Sequence, residues 1–522
     1  MLKKPLLLAA VALQLAFVAQ AQQEPVNLDA VHRIKQEGLK NSQVMETAFY
    51  LTDVSGPRLS GSPGLDRANQ WAKNKLTEWG LKNARLEEWG EFGKGWEIEK
   101  SYIAMTAPYY QHLIATPKAW TPGTNGPVKA KAILVELEKE EDLQKYKGQL
   151  AGKIILTKLD TEAKTSFEAD AKRHTHEDLE KLAMSPEANG NTNSSWTPER
   201  IAQYRARMAL RNKATEFFKA EGAAVILSSR GGIHGTHFTS NGAPYAKDAA
   251  PALPELEMGL EDYGRLVRLL EAKQPVELEV ETRTKFHTND LKGYNVIAEI
   301  PGTDKKLKDE VVMLGGHIDS WHAATGATDN AAGVAVMMEA VRILQSLGLQ
   351  PKRTIRIALW GGEEQGLYGS RGYVKKHFGD PATMELTKAH EKLSAYYNLD
   401  NGTGKIRGIY LQGNDAARPF MEAMLAPFHD LGATTVTIRN TGGTDHLAFD
   451  AVGLPGFQFI QDEIEYDTRT HHTNQDTYER LQADDLKQAA TIVASIVYHT
   501  AMRDKLIPRK PLPKPRQTAR AL

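Results

Sequence analysis

The chain has 522 residues, 41% hydrophobic and 25% charged, with 65 Lys+Arg against 65 Asp+Glu and no cysteine. That length exceeds what one ordinary core serves, so two domains, or one domain with a large insertion, are expected. Balanced charge gives no general electrostatic reason to bind nucleic acid, and the lack of cysteine excludes a thiol nucleophile, Cys-ligated zinc, iron–sulfur clusters and disulfides.

Lys3 and Lys4 precede an apolar run over residues 6–18 that only Gln14 interrupts, and Ala19-Gln20-Ala21 follows. The pattern predicts a signal peptide over residues 1–21, with a mature chain beginning near Gln22. The run is shorter than the ~20 residues a membrane span needs. No later segment is apolar enough over that length, so no span is expected in the mature chain. An exported chain of this size without a disulfide points to a bacterial protein, periplasmic or secreted.

Residues 27–51 read as helical. A second helix is expected to start at Ser62 as N-cap with Pro63 at its first position, to align Leu65, Ala68, Ala72, Leu76 and Trp79 on one face, and to stop at Gly80. Arg58 and Ser62 read as structural. Between residues 116 and 126 the chain turns rich in Pro, Thr and Gly, which marks a boundary, and a second boundary falls near Asn289. Strand signals lie between them at residues 131–135, 153–156 and 223–227. The strand after Gly152 and the one after Gly222 look like a protease-associated domain. Residues 161–221 are charged and helical, with Thr197-Pro198 opening a helix, and predict a hairpin over the site.

From Tyr294 onward strand and helix alternate. Residues 296–300, 311–314 and 354–360 are buried-type strands, and Val334, Met337, Met338, Val341, Leu344 and Leu347 form an amphipathic helix between the last two, ended by Gly348. The expected fold is α/β: a mixed, largely parallel central sheet flanked by helices, with an inserted β-rich domain carrying the helical hairpin. The layout is 1–21 signal peptide, 22–117 first part of the catalytic domain, 118–289 insertion, 290–505 main catalytic part, and 506–522 a basic, Pro-rich tail, disordered or draped over the surface.

Between Gly315 and Gly366 three clusters recur beside glycines: His317-Ile-Asp319, Asp329-Asn330 and Glu363-Glu364. Asp400 and His471-His472-Thr473 follow downstream. Amide hydrolysis at neutral pH needs a nucleophile stronger than water, which two divalent ions ~3.5–4 Å apart can supply. Such a pair takes about five side-chain ligands, one of them bridging. His317, Asp329, Glu364, Asp400 and His472 form that set, and imidazole with carboxylate but no thiolate suits catalytic zinc. Two zinc ions against three carboxylates and a hydroxide make a neutral cluster that can be buried. Adjacent residues on a turn diverge, so Glu364 is assigned to metal and Glu363 to general base and then acid, its pKa raised by burial and negative neighbours. Asp319 is placed to orient His317.

Each element alone has an ordinary alternative. Asp329 or Asn330 could cap a helix, Glu363-Glu364 could be an acidic first turn, and Asp400 or the His pair could lie in surface turns. Their joint occurrence at strand ends outweighs five separate alternatives. His174-Thr-His176 and His234-x-x-His237 read as solvated or core histidines. There is no His-Glu-x-x-His and no Gly-x-Ser-x-Gly.

The order His317-x-Asp319, Asp329-Asn330, Glu363-Glu364, Asp400, His472-Thr473-x-x-Asp476-Thr resembles the co-catalytic di-zinc exopeptidases, which include bacterial leucyl-type aminopeptidases and carboxypeptidase Q. The resemblance implies the zinc exopeptidase fold and two zinc ions per chain. His317 and Asp400 would hold one, Glu364 and His472 the other, and Asp329 would bridge, with Glu363 as base and a cis bond after Asp329. Two features depart from relatives: His471 stands where some carry a tyrosine, and Gly442-Gly-Thr-Asp445-His446 follows the wider superfamily rather than carboxypeptidase Q. His471, Asp445, His446 and Tyr466 are therefore the candidates for substrate and oxyanion contacts, each with a structural role as alternative.

The expected function is an exported zinc exopeptidase acting on short peptides or dipeptides, an aminopeptidase before a carboxypeptidase Q-like carboxypeptidase or dipeptidase. A glutaminyl cyclase-type acyltransferase and a non-catalytic receptor-like binding protein are the rivals. Oligomeric state stays open, a homodimer included.

Overall fold

A computed structural model describes residues 24–158, 161–186 and 197–515. The expected signal peptide and the end of the tail lie outside the described residues.

An eight-stranded sheet forms the catalytic body. Its strands are β1 (Lys82–Glu91), β2 (Lys292–Ile300), β3 (Val311–His317), β4 (Thr354–Trp360), β5 (Leu393–Asn398), β6 (Ile406–Tyr410), β7 (Thr435–Thr437) and β8 (Gly456–Gln461). They lie in the order β1-β2-β4-β3-β5-β8-β6-β7. The centre, from β4 through β3 and β5 to β8, is parallel, while β1, β2 and β6 pair antiparallel with their inner neighbours. The mixed, largely parallel sheet flanked by helices is what the alternation of strand and helix predicts.

Four helices build one face: α1 (Leu28–Lys40), α2 (Pro63–Glu78), α3 (Ala332–Ser346) and α4 (Ala483–Met502). Ser62 caps α2 as expected, its hydroxyl accepting from the Leu65 amide at 3.3 Å. The helical reading of residues 27–51 is interrupted: Asn41 ends α1, and a new helix begins at Val44. Helix α3 differs from the amphipathic stripe expected of it. Residues 332–344 are buried on every side, because α1 and α4 cover the face that the sheet leaves open. Each Val, Leu, Ile or Met buried there contributes about 1.5–3 kcal/mol relative to an exposed one. Glu339 inside this core is satisfied by Arg342 at 2.7 and 2.9 Å, and Arg342 reaches on to Glu37 at 2.8 Å. A buried ion pair thus ties α3 to α1.

A second eight-stranded sheet accounts for much of the chain between the two parts of the first. It begins earlier than the boundary near residue 118. Strand Gly95–Ala107 pairs along its length with Glu277–His287, so residues 95–117, expected in the catalytic part, contribute to the second sheet instead. Only Phe92, Gly93 and Lys94 separate this strand from β1, and no break in composition marks the crossing. The helical segment 161–221 is described as helices His176–Ala183 and Pro198–Ala220, the second capped by Thr197.

The described part of the tail is draped over the body. Ile507 is buried, Arg509 donates to the carbonyls of His390 and Leu393 at 2.8 Å each, and Lys510 meets Asp450 at 2.5 Å.

Candidate active site

Parallel strands of an α/β sheet present ligands beyond their carboxyl ends. His317 is the last residue of β3, Glu363 and Glu364 follow β4, Asp400 follows β5, and the segment 462–476 that carries His471 and His472 follows β8. Four parallel strands therefore deliver four of the five expected ligands to one sheet edge. Asp329 arrives by a different route, on the irregular turn that leads into α3, and its bond to Asn330 is cis.

The side chains converge. His317 Nε2 lies 3.2 Å from Asp400 Oδ1 and 3.2 Å from Asp329 Oδ1. On the other side of Asp329, His472 Nε2 is 3.2 Å from Oδ2 and 2.9 Å from Glu364 Oε2. One aspartate stands between a His–Asp pair and a His–Glu pair. Although His472 is close to Asp329 Oδ2, that oxygen accepts no hydrogen bond of acceptable geometry, and neither does Glu364 Oε1, both being buried. Buried acceptors without donors are costly, and cations between these two histidine–carboxylate pairs would satisfy them. The chemistry of the donor set, imidazole and carboxylate, fits zinc.

Asp319 is used differently from the expectation. The ring of His317 meets the backbone carbonyl of Asp319, 3.0 Å from Nδ1, while the carboxylate is 3.6 Å away. That carboxylate instead accepts from the amides of Glu363 at 3.2 Å and Glu364 at 3.3 Å, and from the Ser60 hydroxyl at 3.3 Å. It orients the glutamate turn rather than the ring. Asp476 does the same for the Asp329 turn, accepting from the amides of Thr328 at 2.7 Å and Asp329 at 3.0 Å. Arg58, buried and read as structural, donates to the carbonyls of Leu51, Ile318, Thr325 and Gly326 and holds the loop after β3.

Burial and crowding of like charge set the electrostatics. Burial opposes ionisation of Asp329, but the His317 and His472 rings, each 3.2 Å away, outweigh it and hold its pKa well below the carboxylate range. Burial, with Asp329 adding to it, pushes Glu364 up to about 7. Glu363 is raised well above its ordinary value by burial, with Asp400, Asp445 and Glu364 reinforcing the effect against the opposing His317. A carboxyl so placed can carry a proton near neutral pH, as a general acid or base must.

A cleft of about 590 Å³ opens over these groups. Of the substrate candidates, Tyr466 and His471 line it, their rings 4.8 Å apart, with His471 Nε2 3.9 Å from Asp329. Asp445 and His446 do not. Asp445 is buried, its pKa pushed up to about 7 by that burial, and His446 turns to the Thr441 carbonyl at 3.2 Å. His446 opens the short helix His446–Asp450, and Asp445 is the residue just before it. Asp467, Gln365 and Asn401 line the cleft as well and carry no signal in the sequence that separates them from ordinary polar loop residues. His237, read as a core histidine, is buried against Thr116 at 2.8 Å, yet its neighbour Phe238 pairs with Thr473 beside the site.

Comparison with known proteins follows the same edge. Residues 295–497, which contain every converging histidine and carboxylate, match the model of peptidase family M28. The chain is 28% identical to carboxypeptidase Q of Mus musculus over 477 residues, 90% of this chain and 88% of that protein. It is 29% identical to aminopeptidase YwaD of Bacillus subtilis over 202 residues, 38% of this chain and 42% of the relative. An M28 peptidase precursor from Shewanella amazonensis shares its fold with a TM-score of 0.65 at 24% identity, covering 93% of this chain and 98% of that one. The donor chemistry of the edge and the relatives it matches support a metallo-exopeptidase. Among the described residues no helix is long and apolar enough to cross a membrane.

Proposed function

We propose that this protein is an exported M28-type aminopeptidase that removes the N-terminal residue of short peptides with two zinc ions. His317 and Asp400 would hold one ion and Glu364 and His472 the other, with Asp329 shared between them. The observation that carries the polarity is the lining of the cleft. Asp329, Glu363, Glu364, Asp400 and Asp467 face it, and among the described lining residues there is no Lys or Arg. With Asp329, Glu364 and Asp400 neutralised by the ions, Asp467 remains as the carboxylate for an α-ammonium group, and the lining offers no side-chain cation for a terminal carboxylate.

Zinc held by these residues would supply Lewis acidity toward the scissile carbonyl and lower the pKa of water there. Glu363 takes the proton of the attacking water and passes it to the leaving amine nitrogen as the C–N bond breaks, a double duty that its raised pKa supports. Asp319 keeps the Glu363-Glu364 turn in register by accepting both amides. His471, partly exposed at the cleft beside Tyr466, is the group placed to meet the carbonyl oxygen.

A second reading, a carboxypeptidase or dipeptidase, has the likeness to carboxypeptidase Q in its favour. It needs a cation near the scissile bond. A panel of free, N-acetylated and C-amidated peptides separates the two: acetylation is expected to abolish cleavage and amidation to leave it. Cleavage of acetylated peptides from the C-terminal end would overturn the aminopeptidase reading. Export rests on the pattern of residues 1–21, and N-terminal sequencing of the mature protein is expected to begin at Gln22.

A further inference from the structure

Beside the cleft lies a second cavity, of about 460 Å³, between the segment 172–185 and the catalytic body. Lys172, Arg173, Lys181 and Arg439 face it, opposed by Asp178 and Glu463. The wall is built rather than loose. Lys172 and Ile464 exchange both backbone hydrogen bonds, at 2.9 and 2.8 Å, and Arg173 is held by Asp462 at 2.8 Å and Asp485 at 2.7 Å. Asp178 caps its own helix by accepting from Thr175. Arg173 and Asp178 are thus committed to structure. Among the described residues, the side chains of Lys172, Lys181 and Arg439 make no ion pair and no hydrogen bond, which leaves three cations against the carboxylates of Asp178, near Lys181, and Glu463.

The cavity shares its loops with the cleft. Arg439 precedes Gly442 of the cleft lining by three residues, at most about 11 Å of chain. Glu463 likewise precedes Tyr466 by three. An extended peptide of three to five residues reaches roughly 10–18 Å. Its N-terminus in the acidic cleft would leave its other end at the cationic cavity.

We propose that the cavity formed by Lys172, Lys181 and Arg439 binds the C-terminal carboxylate of a short peptide whose N-terminus occupies the acidic cleft. The inference rests on the aminopeptidase reading and names its substrate class: peptides short enough for both charged ends to be held at once. The cations are accessible to solvent, so the expected discrimination is modest, about fivefold between a peptide acid and its amide, and weaker in high salt.

The test compares one tetrapeptide as free acid and as C-terminal amide. KM and kcat are measured for the zinc-loaded enzyme and for Arg439→Ala and Lys181→Ala, together with calorimetric binding of both peptides to Glu363→Gln protein with and without Arg439→Ala. The free acid is expected to have a KM and a Kd about fivefold below those of the amide. Arg439→Ala should bring the acid to the level of the amide, with kcat and the constants of the amide unchanged. Equal constants for acid and amide in the parent enzyme, or a preference that survives both substitutions, would overturn the cavity's role. A preserved preference in binding with no release of the N-terminal residue would overturn the aminopeptidase reading instead.

Discussion

Thr239 holds His472 by its carbonyl: the Thr239 amide donates to it at 2.8 Å and the hydroxyl at 3.3 Å. Thr239 lies in the long stretch between the two parts of the catalytic sheet, and His472 is one of the proposed zinc ligands. His472 has a φ of 59°, the left-handed region that a residue with a Cβ occupies only when its surroundings impose it. The bridge between Phe238 and Thr473 continues the same grip. Thr239→Pro, which removes the amide, is expected to weaken the ion at His472 and Glu364 about tenfold, the effect of one lost hydrogen bond near 1.4 kcal/mol. Thr239→Val, which loses only the longer hydroxyl bond, should cost about threefold or less. Competition with a chromophoric chelator measures both.

Removing the proton carrier should separate catalysis from metal binding. Glu363→Gln keeps the shape of the side chain and leaves the proposed ligand set intact. Turnover is expected to fall at least about 10²-fold to 10⁴-fold, while elemental analysis still finds close to two zinc ions. Full activity in this variant would remove Glu363 from the role of base.

The position of Asp329 between two pairs, 3.2 Å from each histidine, makes its loss unlike that of any outer ligand. Asp329→Ala is expected to abolish binding of both ions, whereas Asp400→Ala and Glu364→Ala should each leave one. Zinc content after dialysis reads the difference. Because bound metal stabilises only the folded chain, chelation is also expected to lower the melting temperature by roughly 5 °C or more.

Two histidines at the seam of the sheets make stability depend on acid. Burial lowers both His322, whose Nε2 meets the Pro117 carbonyl at 2.7 Å, and His237, which His322 depresses further, to about 4. In the unfolded chain each takes a proton near pH 6.5. Their contribution is therefore complete above pH 6.5 and is lost as pH falls from there through 4, up to about 3 kcal/mol for each ring. Melting temperatures at pH 7.5 and 5 should show the decline, and His322→Gln, which keeps a donor toward Pro117, should flatten it.

Ser62 at the start of α2, Gly348 just after α3, and the bounds of β4 at Thr354 and Trp360 are all legible in the sequence. Each depends on neighbours a few residues away, through capping, backbone freedom or side-chain period. The identity and order of the converging residues are legible too, since His317, Glu363 and Glu364 follow the strands read at 311–314 and 354–360, whereas the strand that carries Asp400, Leu393–Asn398, is seen only in the fold.

What only the tertiary structure decided are contacts between residues far apart in the chain. Residues 95–117 join the second sheet because of a strand partner near residue 280. Helix α3 is buried all round because α1 and α4, from opposite ends of the chain, close over it. The carboxylate of Asp319 serves the glutamate turn, and Thr239 reaches His472, only because strand order brings those backbones within hydrogen-bond range. Period and capping are local interactions and leave a mark at each position, whereas strand order follows from the packing of the whole chain and marks no single residue.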